Sequence, residues 1–198
     1  MPRSSKRPDL IAQGLEVVHR NGFAASGVAE IVAAAGVPKG SFYNHFRSKD
    51  DFGNTVLLAY FAEVSEALEE ELRADGRKAP ARLKAYFKRL RTHNAKTGFA
   101  RGCLLGNISA ESSTVTAGTR TLIERLLSEW SAKLKTCVSE GQRAGDIRGD
   151  LAAARLARIL LDSWQGAVLR SKVERGPAAL DDFIDVLLPQ LLSPRPRR

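Results

Sequence analysis

Pro38-Lys39-Gly40-Ser41-Phe42-Tyr43-Asn44-His45-Phe46 is the stretch on which the reading of this chain turns. Phe42 and Phe46 are four residues apart, so on a helix they share one face and can anchor it to a small core. Lys39, Gly40, Tyr43, Asn44 and His45 then face away from that anchor. All but the glycine carry a polar group suited to phosphates or base edges. Gly40 has no side chain and lets a backbone come close. Pro38 fits the first helical turn, where its missing N–H costs nothing. The segment has the character of a reading helix for DNA.

The flanking sequence supplies the frame for such a helix. A first helix is expected over about 9–21, with Leu10, Ile11, Leu15, Val17 and Val18 at helical spacing and Gly22 as its stop. Phe23 enters the small core. Ser26 or Gly27 can cap a second helix that buries Val28, Ile31 and Val32. Gly36 makes a turn and Val37 plugs it. Two short helices joined by a glycine-bearing turn form a helix-turn-helix. Residues 1–8, with Arg3, Lys6 and Arg7, read as a basic arm that either contacts a groove or phosphate or is a solvated tail.

Ser48 followed by Asp51 three residues on has the form of a capping box at the start of a long fourth helix, about 49–73. Its stripe is Phe52, Val56, Leu57, Tyr60, Phe61, Val64 and Leu68. A fifth helix is expected over 80–93, a sixth over 103–112 and a long seventh over 116–144. An eighth follows over 151–173 and a ninth over 177–192. No strand signal or internal repeat is visible, so the expected fold is all-α with about nine helices. The expected division is a three-helix DNA-binding domain over 1–48 and a larger ligand-binding and dimerisation domain over 49–198.

The totals narrow the class of partner. The chain has 198 residues, 43% of them hydrophobic, and a formal net charge of +9. Seven of its Lys/Arg and three of its Asp/Glu lie in residues 1–49, so nearly half the excess sits around the reading helix. A polyanionic partner is indicated. Two cysteines do not make a disulfide scaffold and suit a reducing cytoplasm. No apolar run reaches the roughly 18 residues that span a bilayer. Three scattered histidines, of which His19 and His93 read as surface residues, give no metal site. No catalytic constellation is visible, and no cofactor is expected.

Gly22-Phe23, Val28 to Ile31, Ala34-Ala35-Gly36-Val37, and Lys39 to Phe46 with Lys49 together resemble the N-terminal domain of the TetR family of transcriptional regulators. About 45 residues carry that resemblance, and the helix count agrees with the family over the whole length. Gly102-Cys103-Leu104-Leu105-Gly106-Asn107 with Ala110-Glu111 further resembles a subgroup that includes electrophile- and acrylate-responsive repressors. The resemblance implies a homodimer, usually a repressor, that leaves a double-stranded DNA operator when a small apolar or electrophilic molecule fills a C-terminal pocket. It implies dimerisation through the last two helices, where Trp164 lies. It also implies DNA contacts from Lys39, Gly40, Ser41, Tyr43, Asn44 and His45, with a phosphate held by Lys49. Position 27 is Gly where the family commonly has a hydroxyl, and Ser26 is the substitute at that cap.

On the ligand side, Cys103 reads either as an electrophile-sensitive thiol near a helix N-terminus or as a small buried core residue. Lys172 could support the thiolate only if the fold brings it close. Tyr60, Phe61, Phe87, Trp130 and Trp164 read either as the lining of an apolar pocket or as core. The rival functional reading is a helix-turn-helix protein whose C-terminal domain binds a protein partner or only dimerises.

Overall fold

The computed structural model describes residues 5–194 except 112 and 114; Arg3 of the basic arm and the end of the C-terminal tail lie outside them. The regular structure among the described residues is all helical, with no strand. In order they form α1 (Arg7–Asn21), α2 (Val28–Ala34), α3 (Lys39–Tyr43), α4 (Lys49–Leu72), α5 (Ala79–Ala95), α6 (Leu104–Ala110), α7 (Ala117–Arg143), α8 (Ala153–Glu174) and α9 (178–192). No helix among them is long and apolar enough to cross a membrane.

The chain packs into two units, with limits inside α4 and α7 and at the start of α6. The first holds residues up to Glu63 together with Leu104–Arg125; the second holds Val64–Cys103 and the residues from Leu126 onward. The first unit is organised on Leu10, Val17, Val18, Phe23, Ile31, Phe42, Phe46 and Phe52, all buried. Close approach is built in where rings meet helix backbones. A Cβ on Gly14 would lie 2.1 Å from the Phe52 ring, and one on Gly53 would lie 2.3 Å from the Phe23 ring.

The start of α4 is capped as its sequence indicates. The Asp51 amide donates to Ser48 Oγ at 3.1 Å, and the Arg47 amide donates to Asp51 Oδ2 at 3.0 Å. That backbone bond, together with the Arg47 charge, holds the Asp51 carboxyl below its usual range. The cap of α2 differs from one of the two alternatives. Gly27 is the capping residue, in an extended conformation, and Ser26 Oγ donates instead to the Gly22 carbonyl at 2.6 Å. His19, expected at the surface, is buried with its ring edge-on to Tyr60 at 5.7 Å.

The second unit is centred on aromatic packing. Phe87, Trp164 and Phe183 form a closed triangle with centroid separations of 5.1, 4.8 and 5.3 Å. Arg82 is buried and bridges α4 to α7, donating to the Leu72 carbonyl and to Glu140, each at 2.6 Å. Arg91 on α5 pairs with Asp181 on α9 through two bonds. The ninth helix is not regular. Phe183–Leu187 forms a π turn in which the Leu188 amide bonds to the Phe183 carbonyl. Pro189 follows at once; it has no N–H for the carbonyl four residues back and its ring crowds that position, so a widened turn upstream is the expected accommodation.

Phe52 joins α4 to the small core of the first unit. Phe52→Ala is expected to lower stability by about 3–5 kcal/mol. A denaturant titration followed by far-UV circular dichroism checks this; a loss under about 1 kcal/mol would contradict the packing described.

Candidate nucleic-acid interface

The reading segment is held from beneath by three rings. Phe42 lies 5.3 Å from Phe46 and 5.3 Å from Phe52, and Phe46 lies 5.1 Å from Phe52 edge-on. The Arg7 guanidinium covers the Phe46 ring at 5.4 Å, closing that side with a cation–π contact. Before this helix, Val37 donates its amide to the Val32 carbonyl at 3.0 Å, and Gly36 turns the chain with φ +62°. Pro38 is not inside the helix, as its sequence position suggests, but is the extended capping residue before it. The regular part is Lys39–Tyr43, and amide bonds from His45 and Phe46 to the Phe42 carbonyl continue the turn to the second anchor.

The outer face carries the residues expected to meet DNA. Lys39, Gly40, Tyr43 and Asn44 are exposed, and Ser41 and His45 are half-buried. Tyr43 is 58% exposed while its ring rests edge-on against Phe42 at 5.3 Å, so it is steadied and presented at once. Gly40 has an ordinary helical backbone, and a Cβ there would meet nothing within 4 Å. The fold therefore does not require glycine at position 40. The open space around it fits a partner backbone coming close.

Two of the expected contacts are engaged within the chain. Ser26 is fully buried with its hydroxyl given to Gly22, so it is not presented to a phosphate; this corrects the reading of Ser26 as the surface cap contact. Lys49 donates to the Ala24 carbonyl at 2.9 Å, with its ammonium 4.8 Å from the Phe23 ring centre. An ammonium has three donors, so this engagement leaves capacity for a phosphate. Lys49 is thus a brace of the α1–α2 turn as well as a candidate contact.

The ligand-side candidates are divided between the units. Tyr60 and Phe61 belong to the first, Tyr60 against His19 and Phe61 buried. Cys103, Phe87, Trp130, Trp164 and Lys172 belong to the second. Phe87 and Trp164 are committed to the triangle with Phe183. Lys172 is half-buried in the last turn of α8. Cys103 is buried, and its sulfur accepts from Gln165 Nε2 at 3.4 Å. The Tyr86 hydroxyl is fully buried and interacts with the Trp130 side chain, and burial pushes its pKa well above the usual phenol range. An indole N–H only donates, and the Tyr86 hydroxyl has no hydrogen-bond partner of good geometry. It thus stands as a neutral polar group in an apolar interior. Tyr86 and Gln165 carried no sequence signal, since both sit unremarkably on helical stripes. Cys137 is buried, and burial pushes its thiol up to about 11, consistent with a core residue. Among the described residues no cluster of three or more His, Cys, Asp or Glu could hold a metal.

Comparison with known proteins agrees with this geometry. Residues 10–53 match the family model described as "Bacterial regulatory proteins, tetR family", and residues 79–187 match "Tetracyclin repressor-like, C-terminal domain". The chain is 40% identical over 192 residues to the HTH-type transcriptional repressor DhaR of Mycobacterium sp. strain GP1, covering 97% of this chain and 95% of that protein. It is 37% identical over 175 residues to the transcriptional regulator AcuR of Cereibacter sphaeroides, covering 88% and 80% respectively. The crystal structure of a regulatory protein TetR from Rhodobacter sphaeroides superposes with a TM-score of 0.90 at 32% identity, covering 96% of this chain and 100% of that one.

Gly40→Ala separates folding from recognition. Its melting temperature is expected to equal or slightly exceed that of the wild type, because alanine is the better helix former. Its affinity for a DNA duplex selected by the wild-type protein is expected to fall at least tenfold. Tyr43→Ala is expected to weaken the same complex. Fluorescence anisotropy beside a thermal melt reads both, and wild-type affinity in both variants would remove α3 as the reading element.

Proposed function

The chain belongs to the TetR family of bacterial transcriptional regulators, and from that premise we propose that it is a dimeric repressor released from its operator by a small molecule. The observation that carries the DNA-binding half is α3 itself, a polar exposed face on a buried aromatic triad, with an open glycine where the fold needs none. We assign DNA reading to residues 1–48, with Lys39, Gly40, Ser41, Tyr43, Asn44 and His45 at the duplex, joined there by Lys49 from the first position of α4. Effector binding and dimerisation fall to residues 49–198. The protein acts in the cytoplasm by binding, with no turnover of its effector.

Dimerisation is supported by where apolar surface is left uncovered. Four of the six large apolar side chains exposed among the described residues, Leu169, Val173, Val186 and Leu187, lie on α8 and α9. A shallow groove between the same helices is floored by Gly166, Ala167 and Ala179. Small residues beside exposed aliphatic ones suit close helix packing across a two-fold axis. Two reading heads about 34–36 Å apart would then meet successive major grooves of a palindrome.

The effector reading rests on Cys103 with Gln165, beside the buried Tyr86 hydroxyl and Trp130. An apolar site with few polar groups suits a small electrophile, and the Gln165 amide and Tyr86 hydroxyl suit its carbonyl oxygen. With an activated alkene, a bond forms between Cys103 sulfur and one alkene carbon, the π bond breaks, and the thiol proton goes to the other carbon. Release requires that the effector favour the non-binding conformation by unequal affinity for the two states.

The test is operator release by N-ethylmaleimide, comparing wild type with Cys103→Ser. Release of the wild type alone is expected, with mass spectrometry finding the adduct on Cys103 and not on Cys137. Equal behaviour of the two would exclude Cys103 as the sensor. For the dimer, Leu169→Glu combined with Val186→Glu is expected to give a monomer in sedimentation velocity and at least a hundredfold loss of operator affinity. A double variant that remains dimeric would move the interface elsewhere.

A further inference from the structure

The turn joining α1 to α2 is held by a side chain from a distant part of the sequence. Glu111 lies one residue beyond α6, and its carboxylate spans two successive backbone donors. The Phe23 amide donates to Oε1 at 3.0 Å and the Ala24 amide donates to Oε2 at 2.6 Å. All three residues are in the first unit. Bonds from backbone N–H to an ionised carboxylate are among the stronger ones, and a fork onto adjacent amides fixes direction as well as distance.

The neighbouring residues are arranged around that fork. Gly22 has φ +86°, and a Cβ there would lie 2.7 Å from Glu111 Oε1, so the glycine leaves the room that the carboxylate fills. Ser26 Oγ holds the Gly22 carbonyl, and Lys49 Nζ holds the Ala24 carbonyl from the start of α4. The turn is therefore gripped by an acid on its amides and by a lysine and a serine on its carbonyls. It leads directly into α2, which α3 follows across a single glycine turn.

We propose that Glu111 is a positioning residue for operator binding, a latch through which α6 sets the orientation of α2 and α3. The inference rests on the DNA-binding reading above and adds a residue that touches no DNA. Because the grip depends on two oxygens at the end of a short helix, a small displacement of α6 withdraws both at once. The α1–α2 turn then loses its direction while the aromatic core of the unit stays packed. Specific recognition, which needs both heads in register, suffers; phosphate attraction, which does not, is spared.

The experiment uses the full-length protein and a duplex selected by the wild type from random sequence. Glu111→Ala and Glu111→Gln are compared with the wild type in three measurements. These are affinity for the selected duplex, affinity for a scrambled duplex at the same salt, and amide exchange across residues 22–30. Glu111→Ala is expected to lose at least tenfold on the selected duplex and less than twofold on the scrambled one, with faster exchange at Phe23 and Ala24. Glu111→Gln, which keeps one acceptor oxygen, should fall between. Both variants should melt within a few degrees of the wild type, and should Glu111→Ala unfold, Glu111→Gln alone decides. A Gly22→Ala substitution adds a further check. Its cost to operator affinity should be smaller in the Glu111→Ala background, where the methyl no longer meets a carboxylate. Unchanged specific affinity in Glu111→Ala, equal losses on both duplexes, or unaltered exchange at Phe23 and Ala24 would each overturn the latch. Failure of the wild type to select any duplex would instead remove the DNA-binding reading on which it stands.

Discussion

The contact on which the first unit depends is the three-ring cluster of Phe42, Phe46 and Phe52. The regular part of α3 is five residues long. Helices shorter than about 12–15 residues have little stability of their own in water. Nothing local therefore holds Lys39–Tyr43 in shape; it is helical because two phenylalanines four apart are buried against a third on the next helix. The outward side chains inherit their directions from that burial. This is why one segment can keep a fixed pose and a polar face at once: the apolar contact supplies the structure and leaves the opposite face free to be chosen for a partner.

Much of this was legible in the sequence, because the signals involved are local. The four-residue spacing of Phe42 and Phe46, the Ser48–Asp51 capping box and the stripes of α4, α7 and α8 all lie within a few turns of chain. The errors share the opposite character. Ser26 is a good cap by type, but its hydroxyl is taken by a carbonyl four residues back. His19 is polar by type and on a helix, but α4 brings Tyr60 against it. Pro38 and Pro189 both mark helix geometry, yet only the fold decides whether a proline stands before a helix or widens a turn inside one. Glu111 is separated from the amides it binds by nearly ninety residues. Both ends lie in stretches that carry a family resemblance, yet nothing in either stretch says that the two meet, because the pairing is made only by the fold.

The glycines show how function can be separated from folding. Gly22 and Gly36 are needed by the backbone, with φ of +86° and +62°. Gly14 and Gly53 are needed by packing, since rings occupy the space of their missing side chains. Gly40 is needed by neither, with ordinary helical angles and open space around it. Gly27, Gly149 and Gly166 share that freedom; what sets Gly40 apart is its place on the exposed face of α3. On α8 and α9 the same comparison separates Leu156, Leu160 and Trp164, which the chain buries, from Leu169, Val173 and Val186, which it leaves exposed.

A reading element held by tertiary contacts is also one that can be switched. The pose of α3 is set by what it packs on and not by its own helicity. Because α3 follows α2, and α2 follows a turn gripped by Lys49 and Glu111, its pose reflects the placement of α4 and α6. The start of α6 is adjacent in sequence to Cys103, and α4 continues beyond the limit of the first unit at Glu63. Both braces therefore stand on helices whose covalent chain leads into the second unit. The weakness of a five-residue helix is in this sense the property that makes regulation physically available.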